Sequence, residues 1–210
     1  DSVQLSKRKV LQGHVLQRLM PEEALHIRGR HNTMNALAAL ALIYAAGLSI
    51  SDALRALSMY KGEPHRVEYV MTVNGVDYID DSKGTNVGAT VAALEGLGAN
   101  GTRLVVILGG DGKGQDFAPI AQSMAKHARA AVLIGRDAPL IEQALSNGGF
   151  PIEHAKDMPE AVRKSAALAQ KGDCVLLSPA CASWDMFKDY AERSAIFIAS
   201  AKALAGDVQQ

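Results

Sequence analysis

Cysteine, tryptophan and phenylalanine are scarce in this chain, at two, one and four residues in 210. Cys174 and Cys181 make no disulfide framework and have no zinc-ligand spacing, and a chain of this length needs no covalent staples. The six histidines (His14, His26, His31, His65, His127, His154) lack paired metal-ligand spacing, so no protein-bound metal is expected. A dominant charge is also missing. Lys plus Arg and Asp plus Glu both number 22, which leaves no global field to draw the chain onto nucleic acid or an anionic membrane. The longest apolar stretch, residues 36–48, is interrupted by Tyr44 and falls short of the roughly 20 residues a bilayer-spanning helix requires. It reads as a buried helix of a soluble protein. Free cysteines and no membrane span make the cytoplasm the expected compartment, and a monomer is expected. The chain opens on Asp1, with no basic region followed by an apolar run, and reads as a segment of a longer polypeptide.

What is present is a 48% hydrophobic composition, enough for one full domain and part of another. Residues 32–46 carry helix-forming Ala, Leu and Met and stop at Gly47, where a left-handed residue is wanted. Ser51 is the expected cap of a second helix over 52–58, and Lys61-Gly62-Glu63-Pro64 is turn chemistry. This divides the chain into residues 1–64 and 65–210. Beyond the boundary, residues 66–73 and 76–80 alternate around Asn74-Gly75, a strong hairpin signal. Short apolar runs at 104–108, 131–134 and 174–177 then alternate with helix-period segments at 87–97, 117–128, 139–145, 159–170 and 186–204. The expected fold class is α/β, a doubly wound, mostly parallel Rossmann-like sheet that starts with a hairpin and is preceded by helices.

Ligands of such sheets sit beyond the carboxyl ends of the strands, so the residues after each apolar run carry the functional signal. Asp80-Asp81-Ser82-Lys83-Gly84-Thr85-Asn86 places two carboxylates, a cation and several hydrogen-bonding side chains before a helix. An anion on the helix amides with Lys83 is one reading, and a plain cap by Thr85 or Asn86 is the other. Gly109 to Asp116 form a glycine-rich turn that lacks both the nucleotide-hydrolase phosphate loop and GxGxxG spacing. A connector and an anion site both fit it, and Lys113 favours the second. Ser178 to Asp185 put small residues at a strand end. No histidine follows to activate Cys181 or Ser183, so binding fits this segment better than nucleophilic attack. Two lysines and several hydroxyls on one rim suit a small dianion.

These segments resemble the Mur ligases, and within them the branch that adds D-glutamate. The resemblance runs from Ile27 onward through Gly29-Arg30-His31-Asn32-Thr33-Met34-Asn35, Pro64-His65-Arg66-Val67-Glu68, Asp81-Ser82-Lys83-Gly84-Thr85-Asn86, Gly109-Gly110-Asp111-Gly112-Lys113 and Leu177-Ser178-Pro179-Ala180-Cys181-Ala182-Ser183. The first two are shared with folylpolyglutamate ligases, and the third and fifth are those of the D-glutamate branch. The resemblance implies that residues 1–64 end a central ATP-binding domain and that 65–210 form the closing, amino-acid-binding domain. It implies contacts of Asn32 and Asn35 with adenine or its surroundings, of Arg66 with phosphate and of Asp81 with ribose. Lys83, Thr85, Lys113 and Ser183 would hold D-glutamate, with Tyr190 where the family more often has Phe, and Lys83 and Asp81 would serve catalysis. The other implied ligands are ATP, Mg2+ bound largely by residues outside this chain, and UDP-N-acetylmuramoyl-L-alanine. Rival readings are a ligase for another amino acid and a non-catalytic binding module. An oxidoreductase is disfavoured by the missing GxGxxG.

Overall fold

The computed structural model describes residues 2–8, 14–27 and 29–207. The chain forms two compact units, Asp1–Gly62 and Glu63–Gln210. The first contains an antiparallel pair that the sequence reading did not foresee, β1 (Ser2–Arg8) with β2 (His14–Pro21), and then α1 (Arg30–Ala45) and α2 (Ile50–Met59). Gly47 takes a positive φ of 74°, as its place after α1 requires. Two expectations fail here. Ser49, not Ser51, caps α2, accepting from the Asp52 amide at 3.3 Å while the Ser51 hydroxyl pairs with that of Ser49. The apolar stretch at 36–48 is not a buried helix either. Only one face of α1 is covered, at Thr33, Ala36 and Leu40, while Leu42 and Leu48 are 73% and 64% exposed. No helix among the described residues is long and apolar enough to cross a membrane.

The second unit is built on a six-stranded sheet of order β3-β4-β8-β5-β6-β7. Its strands are β3 (Glu68–Val73), β4 (Val76–Asp80), β5 (Leu104–Gly109), β6 (Ala128–Ile134), β7 (Ile152–His154) and β8 (Cys174–Leu177). β3 and β4 pair antiparallel through Asn74 and Gly75, whose φ values of 53° and 77° match a turn with both central residues left-handed. All other pairings are parallel. The helices are α3 (Val87–Gly98), α4 (Ala118–His127), α5 (Ala138–Leu145), α6 (Met158–Leu168) and α7 (Tyr190–Asp207).

Strand alternation sorts the apolar residues between the two faces of the sheet. Leu104, Val106, Leu108, Ala131, Leu133 and Leu176 meet Leu94 of α3, Ile120 and Met124 of α4 and Ile141 of α5. On the other face Val105, Ile107, Val132, Val175 and Leu177 meet Met158 and Val162 of α6 and Phe197 of α7. Because both faces are covered, β5 and β8 read as unbroken apolar runs, as buried parallel strands do.

The remaining corrections are local. β3 begins at Glu68, not residue 66, because His65 and Val67 have φ of 64° and 50°, which no strand accommodates. β7, with only three half-buried or exposed residues, carried too weak an apolar signal to be read. The last helix starts at Tyr190 and not near residue 186. Ser183 O accepts from the Met186 and Phe187 amides in a turn, and Asp189 Oδ1 then accepts from the Glu192 amide at 2.8 Å. Pro159 occupies the first turn of α6, after an Asp157 cap.

Candidate functional site

The chain runs outward from β5 to β6 and β7 and returns to place β8 between β4 and β5. This reversal of strand order is where open α/β sheets bind ligands, past the carboxyl ends of the strands. The three segments singled out from sequence follow β4, β8 and β5, so they leave adjacent strand ends.

The segment after β4 is the most deeply built. Asp80 is fully buried, and its Oδ2 accepts from the Ser194 hydroxyl at 2.6 Å and faces His65 Nδ1 at 2.9 Å. Its Oδ1 takes the Ser82 amide at 2.9 Å. Asp81 is buried as well, with Ser178 Oγ donating to Oδ2 at 2.7 Å and the Val67 amide donating to Oδ1 at 3.3 Å. Burial pushes the Asp81 carboxyl up to about 7, against the pull of those two donors. Gly84 is required here by space, because a Cβ would lie 2.5 Å from Asp81 Oδ2. Lys83 turns its ammonium onto the Tyr190 ring, 3.8 Å from the centroid, and His65 meets the same ring edge-on at 5.9 Å. Asn86 caps α3 by accepting from the Ala89 amide at 2.9 Å, and Gln115 Oε1 takes the Val87 amide at 3.0 Å. Capping is therefore the observed role of Asn86, while Lys83 is left to a separate one.

Hydrogen bonds join the three segments. Lys113 Nζ donates to Thr85 O at 3.2 Å, which links the loop after β5 to the loop after β4. Asp111 and Ala182 exchange both backbone bonds, at 2.9 and 2.8 Å, which links the loop after β5 to the loop after β8. Gly110 permits that approach, since a Cβ there would lie 2.2 Å from Ala182 O at a φ of 127°. Arg193, fully buried on α7, completes the circuit. Its Nε and Nη2 reach Ser82 Oγ at 3.0 Å and Ser82 O at 2.7 Å, and its Nη1 reaches Cys181 O at 3.1 Å. Ser183 is buried in the loop after β8, whereas Thr85 is half-buried and Lys113 exposed. Cys181 is fully buried and its thiol is pushed up to about 12, mainly by desolvation, so it is no nucleophile at neutral pH.

Residues 65–181 match the family described as Mur ligase, glutamate ligase domain. The chain belongs to the Mur ligase family. It is 56% identical over 205 residues to the UDP-N-acetylmuramoylalanine--D-glutamate ligase of Polaromonas sp., a match covering 98% of this chain and 35% of the relative. The ligase of the same name from Burkholderia mallei is 57% identical over 190 residues, covering 90% of this chain and 37% of the relative. The chain thus spans little more than a third of the length of these curated relatives. Among solved structures, the folylpolyglutamate synthase of Mycobacterium tuberculosis matches 98% of this chain and 48% of its own at a TM-score of 0.62 and 19% identity. The UDP-N-acetylmuramate-alanine ligase of Thermotoga maritima matches 91% of this chain and 40% of its own at 0.61 and 19%. At such identities these two establish a shared α/β fold.

Within this Mur ligase chain, Arg66 is exposed between the strained His65 and Val67, beside Asp81. Asn32 and Asn35 lie in the first unit, one turn apart on α1, with Asn35 Nδ2 donating to Asn32 Oδ1 at 3.4 Å. Sequence reasoning missed Arg193, Gln115 and Ser194, which hold the segments together. An arginine near the start of an Ala-, Ile- and Phe-containing helix was a readable signal, but its burial and its partners were not. His65 Nδ1 and carboxylate oxygens of Glu68 and Asp80 lie within 4.8 Å of one another. Their donors and acceptors are already committed, Glu68 Oε2 taking the His65 amide at 2.9 Å and Asp80 taking three protein donors. The group does not fit magnesium, which demands near-octahedral oxygen ligation.

Proposed function

We propose that this chain forms the amino-acid-binding part of an ATP-dependent ligase that joins D-glutamate to UDP-N-acetylmuramoyl-L-alanine in the cytoplasm. Residues 65–210 are the closing domain and residues 1–64 the end of the ATP-binding domain. The observation that carries this reading is the union of three strand-end loops, bearing Lys83, Lys113 and Ser183, through the Lys113–Thr85 bond and the Asp111–Ala182 bridge. The names of relatives more than half identical to it support the choice of D-glutamate.

In the proposed reaction ATP phosphorylates the muramoyl-alanine carboxylate, the D-glutamate amine attacks the acyl phosphate, and inorganic phosphate leaves as the amide forms. Lys113, Thr85 and Ser183 hold the carboxylates of the incoming acid by charge-assisted and hydroxyl hydrogen bonds. Lys83, fixed on the Tyr190 ring, presents a cation to the same acid or to charge developing in the transition state, where preorganised groups do most of the catalytic stabilisation. Arg66 suits phosphate and Asp81 a ribose hydroxyl, and Asn32 and Asn35 suit adenine. Magnesium comes with ATP, on ligands other than the His65, Glu68 and Asp80 group.

The 210-residue chain mixed with ATP and both other substrates should release no ADP above background, because it carries no phosphate loop. A polypeptide of the relatives' full length carrying these residues should release ADP only when D-glutamate is added. A full-length enzyme that prefers another amino acid would overturn the substrate assignment.

A further inference from the structure

Four central amides of the glycine-rich loop after β5 are already engaged within the protein. The Gly112 amide donates to Asp137 Oδ2 at 2.6 Å and the Lys113 amide to Asp111 Oδ1 at 2.9 Å. The Asp111 amide is spent on Ala182 O at 2.9 Å, and the Gln115 amide on Gly112 O at 3.0 Å. Two carboxylates of the protein thus occupy donors that a phosphate or a substrate carboxylate would otherwise take. The loop presents the Lys113 side chain, exposed, donating to Thr85 O at 3.2 Å and carried on a residue whose φ is 55°. A non-glycine residue holds that conformation only when its surroundings impose it.

Part of those surroundings is the turn after β6, which holds the residues just before Lys113. Asp137 grips the Gly112 amide, and its own amide donates to Gly110 O at 3.1 Å, so it fastens the loop at two points. Arg136 spans the same turn. Its Nη2 reaches Asp111 Oδ1 at 2.5 Å, its Nε reaches Asp137 Oδ1 at 3.3 Å, and its amide donates to Asp185 Oδ2 at 2.8 Å. Gly112 fits under this clamp only because it lacks a side chain, since a Cβ would lie 2.6 Å from Phe117 Cζ and 3.1 Å from Asp137 Oδ2. The Gly112 amide in turn holds the Asp137 carboxyl below the usual carboxylate range.

We infer that Asp137 and Arg136 are positioning residues that lock the glycine-rich loop and aim Lys113 into the acid pocket without touching the substrate. This rests on the reading that Lys113 holds a carboxylate of the incoming amino acid. A side chain aimed in advance loses less entropy on binding, so the clamp acts on affinity for that acid more than on the chemical step.

The test is a kinetic comparison in the full-length ligase. Asp137→Ala should raise the KM for D-glutamate about tenfold, the scale of losing one charge-assisted hydrogen bond, with kcat within about twofold. Asp137→Asn, whose amide oxygen still accepts from Gly112, should stay within about threefold of wild type. Arg136→Ala keeps the Gly112 bond, should give an intermediate rise, and stands in if Asp137→Ala fails to fold. An unchanged KM in Asp137→Ala, alongside a raised KM in Lys113→Met, overturns the inference and leaves the proposed function standing. An unchanged KM in Lys113→Met itself removes the substrate role of Lys113 and with it the aiming of a substrate contact. The loop lock is then decided by amide exchange in the 210-residue chain, where faster exchange at Gly112 and Lys113 in Asp137→Ala supports it and unchanged exchange overturns it.

Discussion

The ammonium of Lys83 rests 3.8 Å from the centroid of the Tyr190 ring, and the ring itself is braced edge-on by His65. Lys83 leaves the end of β4 and Tyr190 opens α7, so the contact joins the two ends of the second unit's chain at one point of the site. The face of the ring makes this contact, and the hydroxyl has no part in it. Tyr190→Phe should therefore keep the D-glutamate KM of the full-length ligase within about twofold of wild type, while Tyr190→Ala should raise it roughly fivefold, about 1 kcal/mol for a partly exposed cation–π pair. A phenylalanine variant as impaired as the alanine variant would show that the hydroxyl, not the ring, matters.

Asp81 carries a second, pH-dependent consequence. Its carboxyl is raised to about 7 in the folded chain, first by desolvation, whereas an unfolded aspartate titrates near 3.9. Between about pH 4 and pH 7 the folded state holds a proton that the unfolded state has released. The stabilisation from that proton is complete below the unfolded value, is lost as pH rises through the folded one, and leaves a plateau above it. On the order of 2–4 kcal/mol should disappear from the unfolding free energy across this window. Urea midpoints of the 210-residue chain at pH 5 and pH 8 measure it, and Asp81→Asn should flatten the difference. An identical pH dependence in wild type and variant would place the ordinary aspartate value on Asp81.

How much of this was legible beforehand depends on the range of the interaction. Leu104 to Leu108 and Cys174 to Leu177 announced buried parallel strands because both sheet faces are covered, and Asn74-Gly75 announced its hairpin because turn chemistry is local. The loops after β4, β5 and β8 were legible as a place, since strand ends collect ligands. Their stitching was not. Arg193 and Ser82 are 111 positions apart and Gln115 and Ala180 are 65 apart, and no spacing rule reaches that far. The strained turn at His65 and Val67 was equally hidden, because a β-branched residue at positive φ contradicts its own local preference, and it is held by the Asp80, Asp81 and Glu68 carboxylates and the Lys83 amide. The glycine-rich loop misled in part. Its amides invited an anion, and the protein's own Asp137 and Asp111 had already taken those of Gly112 and Lys113.

Arg193 makes the sharpest prediction about stability. Its side chain is fully buried, and desolvation lowers the guanidinium only to about 10, so it remains charged at neutral pH. A buried cation is tolerated when its donors are met, and here they meet Ser82 Oγ, Ser82 O and Cys181 O. Arg193→Met keeps most of the volume but leaves both carbonyl oxygens without these donors, and should cost about 3 kcal/mol in the urea unfolding of the 210-residue chain. Arg193→Lys, which keeps the charge but lacks the planar fork that spans Ser82 and Cys181, should recover only part of that loss. Because Ser82 and Cys181 flank Lys83 and Ser183, the methionine variant should also shift the amide resonances of those two residues, whereas a purely packing role would confine the change to neighbours in α7. A methionine variant with a wild-type midpoint would mean that the guanidinium's hydrogen bonds add nothing net to the fold, and that the loops after β4 and β8 are held in place by the sheet alone.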